Sequence, residues 1–78
     1  MRKPGAPINA WRRRYSTRES TISPALVEAT NRWPTVSVGS YPSFYETGPQ
    51  VEVVLKSAEK DTLGAAVAWL EGELDALT

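Results

Sequence analysis

Hydrophobic and polar positions along this chain switch between a period of two and a helical period, and the pattern marks five elements. Ile22, Ala25, Leu26, Ala29 and Trp33 recur at helical spacing and form one apolar stripe, so a first helix is expected over Glu19–Trp33. Pro24 is tolerated if it lies within the first turn, Ser20 or Ser23 can serve as N-cap, and Pro34 ends the helix. The next pattern has period two. Val51, Val53 and Leu55 point one way while Glu52, Val54 and Lys56 point the other, the cleanest alternation in the sequence, which predicts a strand over Gln50–Lys56. Helical spacing returns with Leu63, Ala66, Val67, Leu70, Leu74 and Leu77, predicting a second helix over Glu59–Leu77 with Ser57 able to cap it. Gly64 is read as allowing close approach of this helix to the sheet, and Gly72 has no evident reason.

Two shorter strands complete the set. Trp11–Ser16 alternates with Trp11, Arg13 and Tyr15 on one face and Arg12, Arg14 and Ser16 on the other. Arg13 then has to lay its stem along the rings and carry its head to water, or stack on Trp11. Thr35–Gly39 places Val36 and Val38 on the core side. About ten residues of loop separate it from the next strand, long for a hairpin connection.

The order β-α-β-β-α predicts an α+β two-layer fold. A crossover sets the first strand parallel to the second, and the third fills the gap antiparallel to both. The expected product is a three-stranded mixed sheet of order 1-3-2 with two helices on one face. The expected core is Ile22, Leu26, Trp33, Val36, Val38, Val51, Val53, Leu55, Leu63, Val67, Leu70 and Leu74. The other sheet face carries Arg12, Arg14, Ser37, Glu52, Val54 and Lys56. Residues 1–7, with two prolines and a glycine, read as a disordered tail, and residues 8–78 as a single domain.

Composition narrows the chemistry. The 78 residues include no histidine and no cysteine, which removes the commonest general base, the usual zinc ligands and every thiol nucleophile. Apolar runs are too short to span a bilayer and no secretory h-region is visible, so the cytoplasm is the default location. Net charge is zero but unevenly divided: residues 1–39 sum to +5 and residues 40–78 to −5. Such a dipole suits internal complementarity or head-to-tail contact between copies. A nucleic-acid partner is disfavoured, because a basic patch alone is only an electrostatic footprint.

The segment between the second and third strands carries the candidate site: Gly39, Ser40, Tyr41, Pro42, Phe44 and Tyr45. Gly39 allows a sharp exit from the strand in a conformation costly for other residues. Tyr41 is expected to be at least half buried against the second helix or the sheet edge, and Pro42 to fix the turn. Phe44 and Tyr45 are expected to be exposed docking aromatics. Trp69, at the flank of the second helix's stripe, is either a lid on the core or a contact to another chain. Ser40 has no histidine to act as its base and no Gly-x-Ser-x-Gly elbow. Phosphate-loop and dinucleotide-binding glycine patterns are absent. Glu71, Glu73 and Asp75 point around their helix and read as a solvated face, so neither a metal nor a cofactor is expected.

Taken together, Ser23-Pro24-Ala25-Leu26-Val27-Glu28-Ala29, Val38-Gly39-Ser40-Tyr41-Pro42, Val51-Glu52-Val53-Val54-Leu55 and the helix bearing Leu63, Ala66, Trp69 and Leu70 carry a resemblance. From Ile22 to Leu77 the chain resembles the small domain that follows the molybdopterin-binding-like domain in eukaryotic FAD synthase. It is also similar to the second domain of bacterial competence/damage-inducible A-type proteins. In that family the neighbouring domain is associated with hydrolysis of pyrophosphate-containing nucleotides such as FAD or ADP-ribose. Its acidic and glycine-rich motifs are not in this chain, so the resemblance implies no catalytic residue here. It implies a non-catalytic accessory or interaction domain, not an enzyme by itself, whose partner is a molybdopterin-binding-like protein or a second copy. The alternative is a stand-alone nucleic-acid or nucleotide-binding module that uses the basic N-terminal half. A Gly-x-x-Gly loop for KH-type clamping of RNA is missing.

Overall fold

A computed structural model describes residues 8–78. The tail expected over residues 1–7 lies outside the described residues. The elements are β1 (Asn9–Tyr15), α1 (Glu19–Arg32), β2 (Ser37–Tyr45), β3 (Gly48–Ser57) and α2 (Lys60–Leu77). The sheet has the order β1-β3-β2. β3 runs antiparallel to both neighbours, which leaves β1 and β2 parallel to each other across it. The sheet expected as mixed is therefore antiparallel in both of its ladders.

Both helices pack on the sheet face that carries Val51, Val53 and Leu55, all fully buried. Ile22, Ala25, Leu26 and Ala29 of α1 and Leu63, Ala66, Leu70 and Leu74 of α2 close the core from above. Trp33, Val38 and Val67, expected inside, are only half-buried at its margin. The difference is one of position, not size: the large Ile22, Leu70 and Leu74 are fully buried together with Ala29 and Ala66, whereas Trp33, Val38 and Val67 pack against the cluster from outside. Tyr15, at the end of β1, is an unexpected core member at 4 % exposure.

Local signals explain most boundaries, with three corrections. α1 starts at Glu19 as expected, but neither Ser20 nor Ser23 is its N-cap. Arg18 holds that position without a side-chain cap bond. Pro24 therefore falls in the second turn, not the first. Its missing N–H leaves the carbonyl of Ser20 without an intrahelical donor, and both residues are open to water. Ser57 accepts a hydrogen bond from the Glu59 N–H at 3.0 Å, so it supports the start of α2 from just outside the helix. Gly64 does not bring α2 close to the sheet: a side chain there would meet nothing within 4 Å, and the same holds for Gly72.

The largest difference lies between the second and third strands. The long loop is a tight hairpin. β2 continues through Pro42 to Tyr45, and Glu46 and Thr47 alone connect Tyr45 to its cross-strand partner Gly48. Gly48 has φ 122°, the left-handed side that a side chain resists, and it lets the twisted ribbon close over two ordinary turn residues. Pro42 is compatible with strand structure because β2 is an edge of the sheet.

Candidate functional site

The register sets the geometry of this hairpin. β1 pairs with β3 only from Val51 to Ser57, whereas β2 pairs with β3 from Gly48 to Lys56. The rows Ser43–Gln50, Phe44–Pro49 and Tyr45–Gly48 therefore extend beyond β1 as a two-stranded arm. Three rows at strand spacing reach roughly 10 Å. Pro49 is admissible there because β3 has lost its β1 neighbour and become an edge itself.

Strand alternation divides the candidate residues between two faces. Ser40, Pro42 and Phe44 point to the helix side. Gly39, Tyr41 and Tyr45 point to the open side. Phe44 is 80 % exposed and Tyr45 51 % exposed. Tyr41 is 60 % exposed, not half buried, because its strand face carries it away from α2. Gly39 has no positive φ, so the costly backbone conformation expected there does not occur. Its constraint is the Tyr41 ring: a Cβ on Gly39 would lie 3.2 Å from the Tyr41 hydroxyl and 3.3 Å from a ring carbon.

On the helix side the arm and the start of α1 enclose a cleft of about 260 Å³. Arg18, Glu19 and Ser20 form one wall, and Pro42, Phe44 and Pro49 are the apolar part of the other. The Ser40 hydroxyl donates to the Glu19 carboxylate and ties β2 to the first residue of α1 beside this cleft. The cleft is smaller than the roughly 300–1,000 Å³ usual for small-molecule sites. It is better matched to an inserted side chain than to an enclosed substrate.

Trp69 sits elsewhere. It is half-buried against Trp33, with ring centroids 5.7 Å apart at 54°, and the Arg32 guanidinium lies 4.7 Å from its ring centre. Arg32 is held in turn by Glu28 at 2.9 Å, one helical turn back. The structure thus brings Ser40, Pro42 and Phe44 together but does not bring Trp69 to them.

Sequence reasoning missed one ionic cluster. Arg13 pairs with Glu71 at 3.1 Å and Asp75 at 3.5 Å, and its guanidinium lies 4.8 Å from the centre of the Tyr15 ring, not on Trp11. Glu71 and Asp75 converge rather than point around the helix. Their i,i+4 spacing was the available signal. The hydrogen bond to Glu71 raises the pKa of Arg13. Burial pushes the Tyr15 phenol up. Among the described residues the buried Tyr15 hydroxyl has no hydrogen-bond partner. Among the described residues no three acidic side chains are grouped to hold a metal ion, and no helix is long and apolar enough to cross a membrane.

Comparison with known families gives one match. Residues 14–78 match the family described as "FAD synthase, middle domain". Neither curated proteins nor solved structures give a match to this chain.

Proposed function

Because the chain belongs to the family of FAD synthase middle domains, we propose that it is a non-catalytic accessory domain that docks on its enzyme through the β2–β3 arm. The partner is a molybdopterin-binding-like domain, and docking places Phe44 in a pocket of that domain. One observation carries this reading: Phe44 stands 80 % exposed on an arm that outruns β1, beside a cleft walled by two prolines. A phenylalanine so exposed stabilises this fold little, whereas buried aromatic anchors dominate interfaces. The non-catalytic part rests on side-chain chemistry. With no histidine or cysteine in the chain, the contact of Ser40 with Glu19 is a hydroxyl held by a carboxylate, with no stronger base beside it.

The test is calorimetric titration of the chain with a molybdopterin-binding-like domain. Phe44→Ser should weaken binding about tenfold or more while leaving the melting temperature of the chain unchanged. Equal binding by Phe44→Ser and the parent would refute docking through the arm. Association of the chain with itself, lost in the same variant, would transfer the arm's role to a second copy.

A further inference from the structure

We propose that the open face of the sheet is a platform for single-stranded nucleic acid. Both helices lie on the other face, so among the described residues no helix covers this one. Register lays out its side chains in rows. Lys56 stands between Ala10 and Ser37, Val54 between Arg12 and Gly39, and Glu52 between Arg14 and Tyr41. The Tyr41 ring leans back over Gly39, beside Val54, which is only 6 % exposed although it faces outward. The result is an exposed aromatic ring laid over Gly39 beside the nearly buried Val54, with Arg12, Arg14 and Lys56 on the same face. Three cations face one carboxylate, Glu52.

The cations of the two faces are used differently. On the helix side Arg13 is engaged by Glu71 and Asp75. Among the described residues neither Arg12, Arg14 nor Lys56 has an ion-pair partner within 4 Å. Alternation divides the Arg12-Arg13-Arg14 run, and the two outward arginines join Lys56 from another strand. The sequence halves conceal this, because Lys56 and Tyr41 belong to the acidic half.

Free cations beside an exposed aromatic ring recognise a base stacked on the ring and the phosphates flanking it. A nucleotide strand is favoured over a free nucleotide by shape. Small-molecule sites are concave, usually roughly 300–1,000 Å³, and enclose most of their ligand, whereas the hollow between Tyr41 and Lys56 on this face measures about 120 Å³. Tyr45, 51 % exposed, points from the same face four residues along the strand, roughly 13 Å away, and offers a second stacking position. An acidic protein surface would use the cations but not need the ring. This platform does not depend on the docking reading, which uses Phe44 on the opposite side of the arm.

The experiment is fluorescence anisotropy of a labelled single-stranded RNA of about 12 nucleotides, titrated with the whole chain between about 50 and 200 mM salt. Binding should weaken with salt. Arg12→Gln with Arg14→Gln should lower the log–log salt slope by roughly 1.4, the change for two phosphates on a single strand. Tyr41→Ala should weaken binding about fivefold or more with the slope unchanged, and Tyr41→Phe should restore it. Lys60→Gln, on the helix layer, should leave affinity as it was. All these residues are exposed, and equal melting temperatures would confirm intact folds. No binding at about 50 mM salt would overturn the proposal. So would Tyr41→Ala binding like the parent, which indicates charge attraction alone. Competition by adenosine monophosphate as effective, mole for mole, as the RNA would indicate a single-nucleotide site and overturn it as well.

Discussion

Leu70→Ala tests the central packing of the domain. Leu70 is fully buried on α2, in line with Leu63, Ala66 and Leu74 and within the cluster that includes Val51, Val53 and Leu55. Truncation removes three carbons from a site where sheet and helices are already in contact, and the surroundings can collapse only in part. Such changes cost about 2–5 kcal/mol. A 78-residue chain at usual stability per residue has roughly 4–12 kcal/mol in all, so the variant forfeits about a sixth of its stability or more. The Trp33–Trp69 pair makes tryptophan emission a direct reporter of urea unfolding. At about 1 kcal/mol per molar urea for a small domain, a loss of about 3 kcal/mol moves the midpoint by about 3 M. Leu77→Ala is the control. Leu77 lies on the same helix but is 49 % exposed, and its loss should stay within about 0.5 kcal/mol. Equal midpoints for the two variants would refute the assignment of the buried face of α2.

Three further outcomes follow from particular contacts. Gly39→Ala should change stability by no more than about 0.5 kcal/mol, because the backbone is unstrained and the exposed Tyr41 ring can move aside; Gly48→Ala, at φ 122°, should cost about 1 kcal/mol or more, and the reverse ranking in urea melts would contradict the hairpin geometry. Tyr15 has a folded-state pKa raised by burial, so its contribution is fully present below the unfolded pKa of about 10 and is lost as pH rises through the folded value; Tyr15→Phe should abolish that alkaline loss and be neutral or stabilising at pH 7, since it removes a buried hydroxyl without a partner. Purified chain should not hydrolyse FAD or ADP-ribose with magnesium or manganese, and turnover that disappears on substitution of Glu19 or Ser40 would show that their contact is catalytic.

The elements legible in the sequence are those whose pattern is enforced by a core. α2 and β3 each bury one face against rigid neighbours, so periods of 3.6 and 2 are written in leucines and valines and the order 1-3-2 follows. β2 beyond Gly39 has no such enforcement. Its outer rows have water on both faces and on one edge, so nothing there demands alternating valines. Gly39, Ser40, Pro42 and Ser43 are poor strand formers that pairing with β3 nevertheless holds extended. The connecting residues, Glu46 and Thr47, carry no Asn-Gly or Asp-Gly signal, because the positive φ is displaced onto Gly48. A strand thus reads as a loop.

The same feature decides what the candidate residues can do. In a loop, Tyr41, Phe44 and Tyr45 would form one aromatic cluster able to meet one partner. In a strand, alternation sends Phe44 towards the α1 cleft and Tyr41 and Tyr45 to the open sheet face. A slip of one residue in the β2–β3 pairing would exchange the two sets and put an apolar ring among the arginines. Buried β3 residues fix one side of that register, with Val53 opposite Ser40 and Val51 opposite Pro42, and Gly48 fixes the turn. The contact of Ser40 with Glu19 holds the arm against α1 at the point where it leaves the core. The side-chain chemistry of each surface is therefore set by the hairpin register, and the register by the buried Val51 and Val53 and by Gly48 at the turn.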